Sequence, residues 1–512
     1  MRDAVRLLLI LCAAVSAAAQ SAQVDVLHYD IDLTLQRAST EIRAATELTL
    51  VPRLAPLQSV VLDFGELTVD DVTVNGARAE AYAASGHLTV TVKRADKTPF
   101  RVRVAYHGSP ADGLVLRANK HGDFGVFADN WPNRAHYWFP SIDHPSDKAS
   151  VDFTVTAPDA FDVIANGTLL ETVSLQNGTK QWRWHEATPI PVHCMVVGAT
   201  QFAVVHAGED DGVAVAYYLY PKDRANGKQF GRVTGILDFF GKTIGPYPYE
   251  KLAIVESSTR FGGMENASAI FLDEKRIDGE ADLERLVAHE IAHQWFGDSV
   301  SQNDWYDLWL SEGFATYFAA LYFERASGVS ALRTMMAASR QTYLDAHVDA
   351  QPIHDPSIAE LPRLLNRLNY QKGAWVLHML RGVIGDEAFF AGIREYYATY
   401  RDGNTSTAGL RTIMERHAGQ PLEWFFRQWI YQPGHPVFDA KWRWDGGKVF
   451  LEVKQTQSGT VFRTPLTVEV RDAAGARRER VVIDERDEHF EIDSESRPED
   501  VVLDPDEWVL RQ

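Results

Sequence analysis

The stretch Asp282-Leu-Glu-Arg-Leu-Val-Ala-His289-Glu290-Ile-Ala-His293-Gln-Trp-Phe296 decides the class of this chain. Its apolar residues recur at steps of three and four, which predicts an amphipathic helix. Histidines four residues apart lie one above the other on one face of such a helix, where they can bind a single metal ion. Glu290 projects about 100° away, so it can reach a water molecule on that metal without binding the metal.

A second predicted helix, 308–326, carries a candidate third ligand. Glu312 lies in this helix, with eighteen residues between it and His293. Two histidines and one carboxylate leave a fourth position open for water, as a catalytic zinc ion requires. The same donors admit cobalt or manganese, but zinc is the usual occupant. The sequence therefore predicts one zinc ion per chain.

Around these helices the chain divides into regions of different periodicity. Alternating apolar residues and Asn-Gly turns predict a β-sandwich or large curved sheet over 20–203. Helical spacing dominates 204–432 after a few strands, and alternation returns in 433–512 as a small β-sandwich. The predicted fold class is α+β, and the predicted helices of the middle region are 231–241, 282–296, 308–326, 330–346, 364–383 and 387–400.

The first residues, 1–19, match a secretory signal peptide. Arg2 and Arg6 precede an apolar run, and three alanines ending at Ala19 provide a cleavage site. The run is too short to cross a bilayer and no other long one follows, so no membrane span is predicted. A lipid anchor on Cys12 is the alternative to cleavage near Ala19. We expect a secreted or periplasmic protein.

Composition narrows the partners. Hydrophobic residues make up 45% and charged residues 24%, which indicates a globular chain, and the formal net charge of -19 disfavours nucleic acid. An acidic protein suits a cationic ligand, such as the free α-amino group of a peptide. Cleavage of the leader leaves Cys194 alone, so no internal disulfide is expected. Nothing in the sequence indicates an oligomeric state.

Four motifs resemble those of the gluzincin aminopeptidases, the group of alanyl aminopeptidase and leukotriene A4 hydrolase. The H-E-x-x-H motif with a glutamate after eighteen residues is the first, and 140–145 is similar to the family's P-x-x-D-x-P. Tyr370-Gln-Lys372-Gly is similar to its Tyr-x-Lys-Gly segment. The family's G-x-M-E-N exopeptidase motif is matched by Gly262-Gly263-Met264-Glu265-Asn266. All four occur in the family's order.

The resemblance implies a role for each motif residue. His289, His293 and Glu312 bind zinc, Glu290 is the general base, and Tyr370 donates to the scissile carbonyl as its oxygen becomes negative. The G-x-M-E-N motif binds the substrate, and Glu265 pairs with the α-amine. Gly262 and Gly263 would let the substrate backbone approach a strand edge closely.

The resemblance leaves one substrate contact open. The family has a second amine-binding glutamine or glutamate in its N-terminal domain, but 128–132 reads Ala-Asp-Asn-Trp-Pro here. Asn130 or Asp129 is the candidate substitute.

The family implies a saddle-like β domain, a thermolysin-like catalytic domain and a small β-sandwich. Many members add a large helical domain, and the printed sequence ends at Gln512 without one, which predicts a short form. The predicted function is a zinc aminopeptidase that uses a metal-activated water. An additional epoxide hydrolase activity, as in one branch of the family, and a scaffold that has lost catalysis are the alternatives. Glu265 disfavours a general endopeptidase.

Overall fold

The computed structural model of the chain describes residues 23–279, 282–473 and 475–512, so the predicted signal peptide lies outside the described residues. Alternating apolar positions form long strands because successive side chains point to opposite faces, which lets one face be buried. The strands of the N-terminal part are β1 Val24–Thr34, β2 Ile42–Pro52, β3 Leu57–Asp63, β4 Thr68–Val74, β5 Ala77–Arg78, β6 Ala81–Ala84, β7 His87–Arg94, β8 Phe100–Gly108, β9 Leu114–Ala118, β10 Phe124–Ala128, β11 Lys148–Pro158, β12 Asp162–Ala165, β13 Thr168–Ser174, β14 Thr179–Pro191 and β15 Val197–Thr200.

These strands form three sheets around one apolar core. The largest sheet has eight strands in the order β13-β14-β11-β1-β2-β8-β4-β5, and the others are β3-β7-β6 and β12-β15-β10-β9. Strand β1 runs parallel to β11 and antiparallel to β2. Trp138, Phe139 and Phe153 are among the fully buried residues of this core. The β-rich N-terminal part that the alternation predicts is confirmed.

The middle part combines a five-stranded sheet with eight α-helices among the described residues. The sheet order is β16-β17-β18-β20-β19, in which β17, β18 and β20 run parallel and β19 is an antiparallel edge strand. A short pair, β21 and β22, lies elsewhere. The elements are β16 Ala203–Asp210, β17 Val213–Leu219, α1 Val233–Thr243, β18 Lys251–Ser257, β19 Gly263–Met264, β20 Ala269–Asp273, α2 Leu283–His293, β21 Val300–Gln302, α3 Trp309–Ser327, α4 Val329–Asp345, α5 Gly373–Ile384, α6 Asp386–Tyr400, β22 Gly403–Thr405, α7 Thr407–Ala418 and α8 Glu423–Ile430.

The five-stranded sheet separates two apolar cores. Along β18, Leu252 and Ile254 pack in the helical core, whereas Ala253 and Val255 pack in the N-terminal core. This alternation follows from the two-residue period of a strand and explains why all four positions are apolar. The edge strand β19 carries Gly263 and Met264 of the predicted exopeptidase motif and pairs with β20 at the edge of this sheet.

Five of the six predicted helices agree with the observed ones to within three residues at each end, and the sixth does not. The helix predicted over 364–383 begins at Gly373, and a single π-helical turn, Leu368–Lys372, precedes it. Asn366 Oδ1 accepts hydrogen bonds from the backbone N–H groups of Leu368 and Asn369, at 2.9 and 3.2 Å. This side-chain cap starts the turn late, so the prediction of a regular helix before 373 was wrong.

The C-terminal part is a pair of small sheets, as the alternation predicts. The sheets have the orders β23-β24-β27 and β26-β25-β28. Their strands are β23 Phe438–Asp445, β24 Lys448–Gln455, β25 Thr464–Asp472, β26 Gly475–Ile483, β27 Asp487–Asp493 and β28 Asp500–Leu503. Buried residues of these strands, such as Val449 and Leu451, belong to the same core as the helices. The α+β fold class is confirmed, and the exact domain limits stay a prediction.

No helix in the described part of the chain is both long and apolar enough to cross a bilayer.

Candidate active site

Helices α2 and α3 bring the three predicted metal ligands together. The Nε2 atoms of His289 and His293 are 3.0 Å apart, and each lies 3.3 Å from Glu312 Oε2. The two imidazole rings are nearly perpendicular, which lets both nitrogens point to one spot. His293 and Glu312 are buried, and His289 is 17% exposed on the cavity side.

The donor set fits a metal ion. Glu312 Oε2 is buried and has no hydrogen-bond partner among the described residues. A buried carboxylate oxygen without a partner is costly unless a cation compensates it. Ligands about 2.0–2.1 Å from a zinc ion in tetrahedral geometry lie roughly 3.3 Å from one another, which is close to the separations observed here. His289, His293 and Glu312 could therefore hold zinc with little rearrangement.

Neighbouring groups orient these ligands. His293 Nδ1 lies 3.1 Å from Phe296 O and 2.9 Å from Ser311 Oγ. Donation from Nδ1–H to the carbonyl leaves the Nε2 lone pair available for a metal. Tyr370 OH donates to Glu312 Oε1 at 2.7 Å, which directs the other carboxylate oxygen to the histidines. Ser311 is not among the residues predicted from the sequence, although it directly precedes Glu312.

Glu290 lies between the metal ligands and the edge strand β19. Its side chain lines the cavity and is only 4% exposed. A Cβ atom on Gly263 would overlap the Glu290 carboxylate, so only glycine permits this close approach. Burial raises the pKa of Glu290 well above its ordinary value. The carboxylate is placed where a base could reach a water molecule between strand and ligands.

Tyr370 reaches the ligands from the π-helical turn. Its ring stacks on His289, with centroids 6.0 Å apart and planes 8° from parallel. Helices α3 and α5 approach closely because Gly313 faces Gly373, and a Cβ on Gly313 would lie 2.9 Å from the Gly373 backbone. This close approach places the turn before α5 in contact with Glu312, through the Tyr370 hydroxyl. Single π-turns inside helices often occur at functional sites.

Glu265 directly follows the edge strand and is buried in the cavity wall. Oxygen or nitrogen atoms of Glu265, Glu290 and His293 all lie within 4.8 Å of one another. Gln294 fixes this position, because its Nε2 donates to Glu265 O while its Oε1 accepts from Ser268 N–H at 2.8 Å. Sequence reasoning missed Gln294, and its place directly after His293 was the signal that could have found it.

The structure does not bring Asn130 or Asn266 to the cavity. Asn130 is fully buried, its Nδ2 donates to Met195 O at 2.7 Å, and its Oδ1 accepts from Trp138 Nε1 at 2.8 Å. Both the Nδ2 and the Oδ1 atom of Asn130 are hydrogen-bonded within the protein. The prediction that Asn130 contacts the substrate amine therefore does not agree with the structure. Asn266 is also buried and is not among the residues that line the cavity. Asp129, the other candidate, pairs with two arginines.

A cavity of about 650 Å³ opens from the metal ligands. Gly262, Gly263, Met264 and Glu265 form part of its wall, together with Tyr370. The N-terminal part contributes Trp131, whose ring meets Phe261 edge to face at 6.0 Å. The residue next to Asn130 therefore reaches the cavity where Asn130 itself does not.

The fold and the arrangement of two histidines with one glutamate define the gluzincin class of proteins. The chain belongs to peptidase family M1. The model of the peptidase family M1 domain matches residues 229–429, and the model of the peptidase M1 N-terminal domain matches residues 26–193. The family resemblance carried by the four motifs is confirmed.

Similar proteins have been named in several organisms. The tricorn protease-interacting factor F2 of Thermoplasma acidophilum is 28% identical over 80% of this chain and 54% of its own length. The probable aminopeptidase 2 of Sulfurisphaera tokodaii is 29% identical over 66% of this chain and 45% of its own length. The chain thus spans about half the length of these curated relatives.

Solved structures resemble this fold over most of the chain. The M1 zinc metallopeptidase from Deinococcus radiodurans is 27% identical, with a TM-score of 0.70 over 80% of this chain and 93% of that one. The aminopeptidase A of Legionella pneumophila, at 18% identity, has a TM-score of 0.85 over 96% of this chain and 60% of that one. The latter similarity concerns the fold alone.

Proposed function

We propose that this chain is a zinc-dependent aminopeptidase that hydrolyses the first peptide bond of peptides with a free N-terminus. The observation that carries the proposal is the position of Glu265, which is buried in the cavity wall within 4.8 Å of Glu290 and His293. A free α-amine is a cation over most of the neutral range and would pair with this carboxylate. Because an extended residue spans about 3.3–3.6 Å, the first peptide bond would then lie beside Glu290.

Each site residue has a role in this proposal. Zinc, when bound by His289, His293 and Glu312, supplies a Lewis acid that acidifies a water molecule and polarises the scissile carbonyl. Glu290 accepts the proton of the attacking water and passes it to the leaving amine. The hydroxyl of Tyr370 donates to the carbonyl oxygen as negative charge develops there.

The comparisons support the proposal in two ways. The similarity to a structure named as an M1 zinc metallopeptidase, which this chain spans almost completely, supports the metal. The relatives that are named aminopeptidases support the reaction, although the match covers less than half of each of them. The glutamate general base is the part of the mechanism that depends on the geometry of this site alone.

A panel of aminoacyl chromogenic substrates tests the proposal directly. Each substrate is offered with a free and with an acetylated N-terminus to the zinc-loaded protein. We expect release of the chromophore from the free-amine forms and little from the acetylated forms, because acetylation removes the cation that Glu265 would bind. Equal rates on both forms would indicate an endopeptidase or an unrelated esterase activity.

Glu265→Gln is expected to lower kcat/KM for free-amine substrates. The loss of transition-state stabilisation should be about 2–4 kcal/mol, the cost of removing one partner of a buried charge pair. The amide keeps the size of the side chain, so its backbone contact with Gln294 is preserved. Acetylated substrates should lose much less, and the ratio of the two kcat/KM values should narrow. An unchanged ratio would mean that another group recognises the amine.

Tyr370→Phe is expected to lower kcat by about 10²- to 10³-fold with KM nearly unchanged, the scale of one lost oxyanion donor. The same hydroxyl donates to Glu312, so the variant is assayed with excess zinc and its metal content is measured alongside. Full metal content with a rate within about a factor of two of the native protein would assign the donor role elsewhere.

We also propose that the chain is exported and cleaved near Ala19. The charged, apolar and small-residue segments of the leader support this proposal. Expression of the full chain in a bacterial host, followed by mass spectrometry of the mature N-terminus, tests it. A product that starts near Gln20 outside the cytoplasm is expected, and an uncleaved cytoplasmic product would contradict export.

A further inference from the structure

The charged residues that line the cavity fall into two groups. The acidic group is Glu265, Glu290 and Glu312, all beside the metal ligands. The basic group, apart from the histidines, consists of three arginines, and the described part of the cavity wall carries no lysine. These arginines, here called the arginine wall, are Arg276, Arg285 and Arg367. The mechanism proposed above uses none of them.

Helix α2 fixes the direction from one group to the other. Arg285, His289 and His293 follow one another at four-residue steps, so they lie along one face of the helix. Glu265 lies at the His293 end of this row. Arg285 lies at the opposite end, about 6 Å along the axis from His289. The metal ligands are therefore between the amine-binding glutamate and Arg285.

The edge strand gives the same direction independently. Glu265 follows the strand, Gly263 faces Glu290, and Gly262 comes before it. A Cβ on Gly262 would lie 3.8 Å from Arg276 Nε. The order along the strand is thus amine site, catalytic carboxylate, then arginine, which agrees with the order along α2.

Arg285 is held in position while it keeps N–H donors for a ligand. Asp282 accepts one hydrogen bond from Arg276 at 3.1 Å and one from Arg285 at 2.7 Å, which holds the two guanidinium groups near each other. A guanidinium has five N–H donors, and the side chain of Arg285 remains 56% exposed. Arg367 is exposed and lies three residues before Tyr370.

We infer that the leaving-group side of this cleft binds a carboxylate located one or two residues after the scissile bond. This inference rests on the proposed aminopeptidase function, since it places the α-amine at Glu265. A peptide continuing past the metal ligands advances about 3.3–3.6 Å per residue, so its second or third residue reaches the arginine wall. Guanidinium groups bind carboxylates through charge-assisted, often bidentate hydrogen bonds.

Two kinds of peptide carry a carboxylate at this place. One is a dipeptide or tripeptide with a free C-terminus, and the other is a longer peptide with an acidic side chain at its second or third position. The chemistry of recognition is the same for both, and matched substrates distinguish them. A cavity of about 650 Å³ accommodates either in its first residues.

The experiment compares kcat/KM within two substrate pairs. One pair is a dipeptide as free acid and as C-terminal amide, and the other is an amidated tripeptide with Asp or with Asn in the middle. The N-terminal residue is the one that the chromogenic panel shows to be cleaved fastest. We expect the carboxylate member of at least one pair to be preferred by about tenfold, and the pair that shows it identifies the source.

Arg285→Gln and Arg367→Gln, alone and combined, test the assignment. The preference should shrink in each single variant and fall below about twofold in the double variant, and it should weaken with added salt. Because the ratio is measured within one variant, effects common to both substrates cancel. Arg363→Gln is the matched control, since this exposed arginine lies in the same segment but not on the cavity wall.

The outcomes separate the two proposals. Hydrolysis of all substrates without a carboxylate preference, or a preference that persists in the double variant, overturns the arginine-wall inference and leaves the aminopeptidase proposal intact. No hydrolysis of any free-amine substrate by zinc-loaded protein overturns the proposed function and, with it, this inference. A preference that Arg363→Gln lowers as much as the double variant would indicate a general charge effect and also overturns it.

Discussion

Glu312→Ala is expected to remove both the bound metal and the activity. Three ligand atoms 3.0–3.3 Å apart form the site, and this variant leaves only two imidazoles. Outer-shell partners alone contribute about 10–100-fold to metal affinity, so loss of a direct ligand should exceed that range. Metal analysis after dialysis should find zinc in the native protein and almost none in the variant, with peptide hydrolysis below detection.

A control on the same helix separates loss of the ligand from loss of helix stability. Glu324→Ala removes a carboxylate from α3 and breaks an ion pair with Arg381, at 2.8 Å in the structure, yet leaves all three ligands in place. It should lower the unfolding temperature while retaining zinc. Full zinc occupancy in the Glu312→Ala protein would contradict the assignment of the third ligand.

The two predicted histidine ligands could be identified from the sequence because the geometry of a single helix positions both of them. Residues four apart on a regular helix share a face, and the observed α2 is regular from Leu283 to His293. The spacing to Glu312 needed the family resemblance, since two helices joined by a loop have no fixed geometry. Ser311 and Phe296, which orient His293, follow from the packing of α3 against the end of α2.

Tyr370 shows what local patterning misses. The periodicity of 364–383 predicts one continuous helix, but the side chain of Asn366 caps the chain at a different point and a π-turn results. The direction of the Tyr370 side chain depends on that turn and on the close contact of Gly313 with Gly373. Helical periodicity describes which face is apolar, and it does not describe a single widened turn.

Asn130 and Arg285 show the same limit for the substrate site. The chain over 129–132 is a loop, and the contacts of Asn130 with Met195 and Trp138 come from distant or folded-back segments that no local pattern encodes. Arg285 lies four residues before His289, so the sequence alone predicts that the two side chains share one face of the helix. That this face points to the leaving-group side required the position of the edge strand, which only the tertiary structure supplies.

Glu290→Gln is expected to lower kcat by about 10²- to 10⁴-fold, the usual contribution of a general acid–base group. The amide cannot accept the proton of the attacking water, and it fills the same space against Gly263. Glu290 is not among the three converging ligand atoms, so the variant should keep its zinc. Steady-state kinetics and metal analysis on the same preparation measure both quantities.

This variant and Glu312→Ala together distinguish a base from a ligand. Glu290 and Glu312 both lie within a few ångströms of His293, and donor geometry alone would allow Glu290 and Glu265 to form a second metal-binding group with it. If Glu290 were a ligand, the Glu290→Gln protein would lose zinc and recover activity when zinc is added in excess. If it is the base, zinc content stays near one per chain and excess zinc restores nothing. Retained metal with a rate close to that of the native protein would contradict both roles, and Glu265 would then be the carboxylate to test as the base.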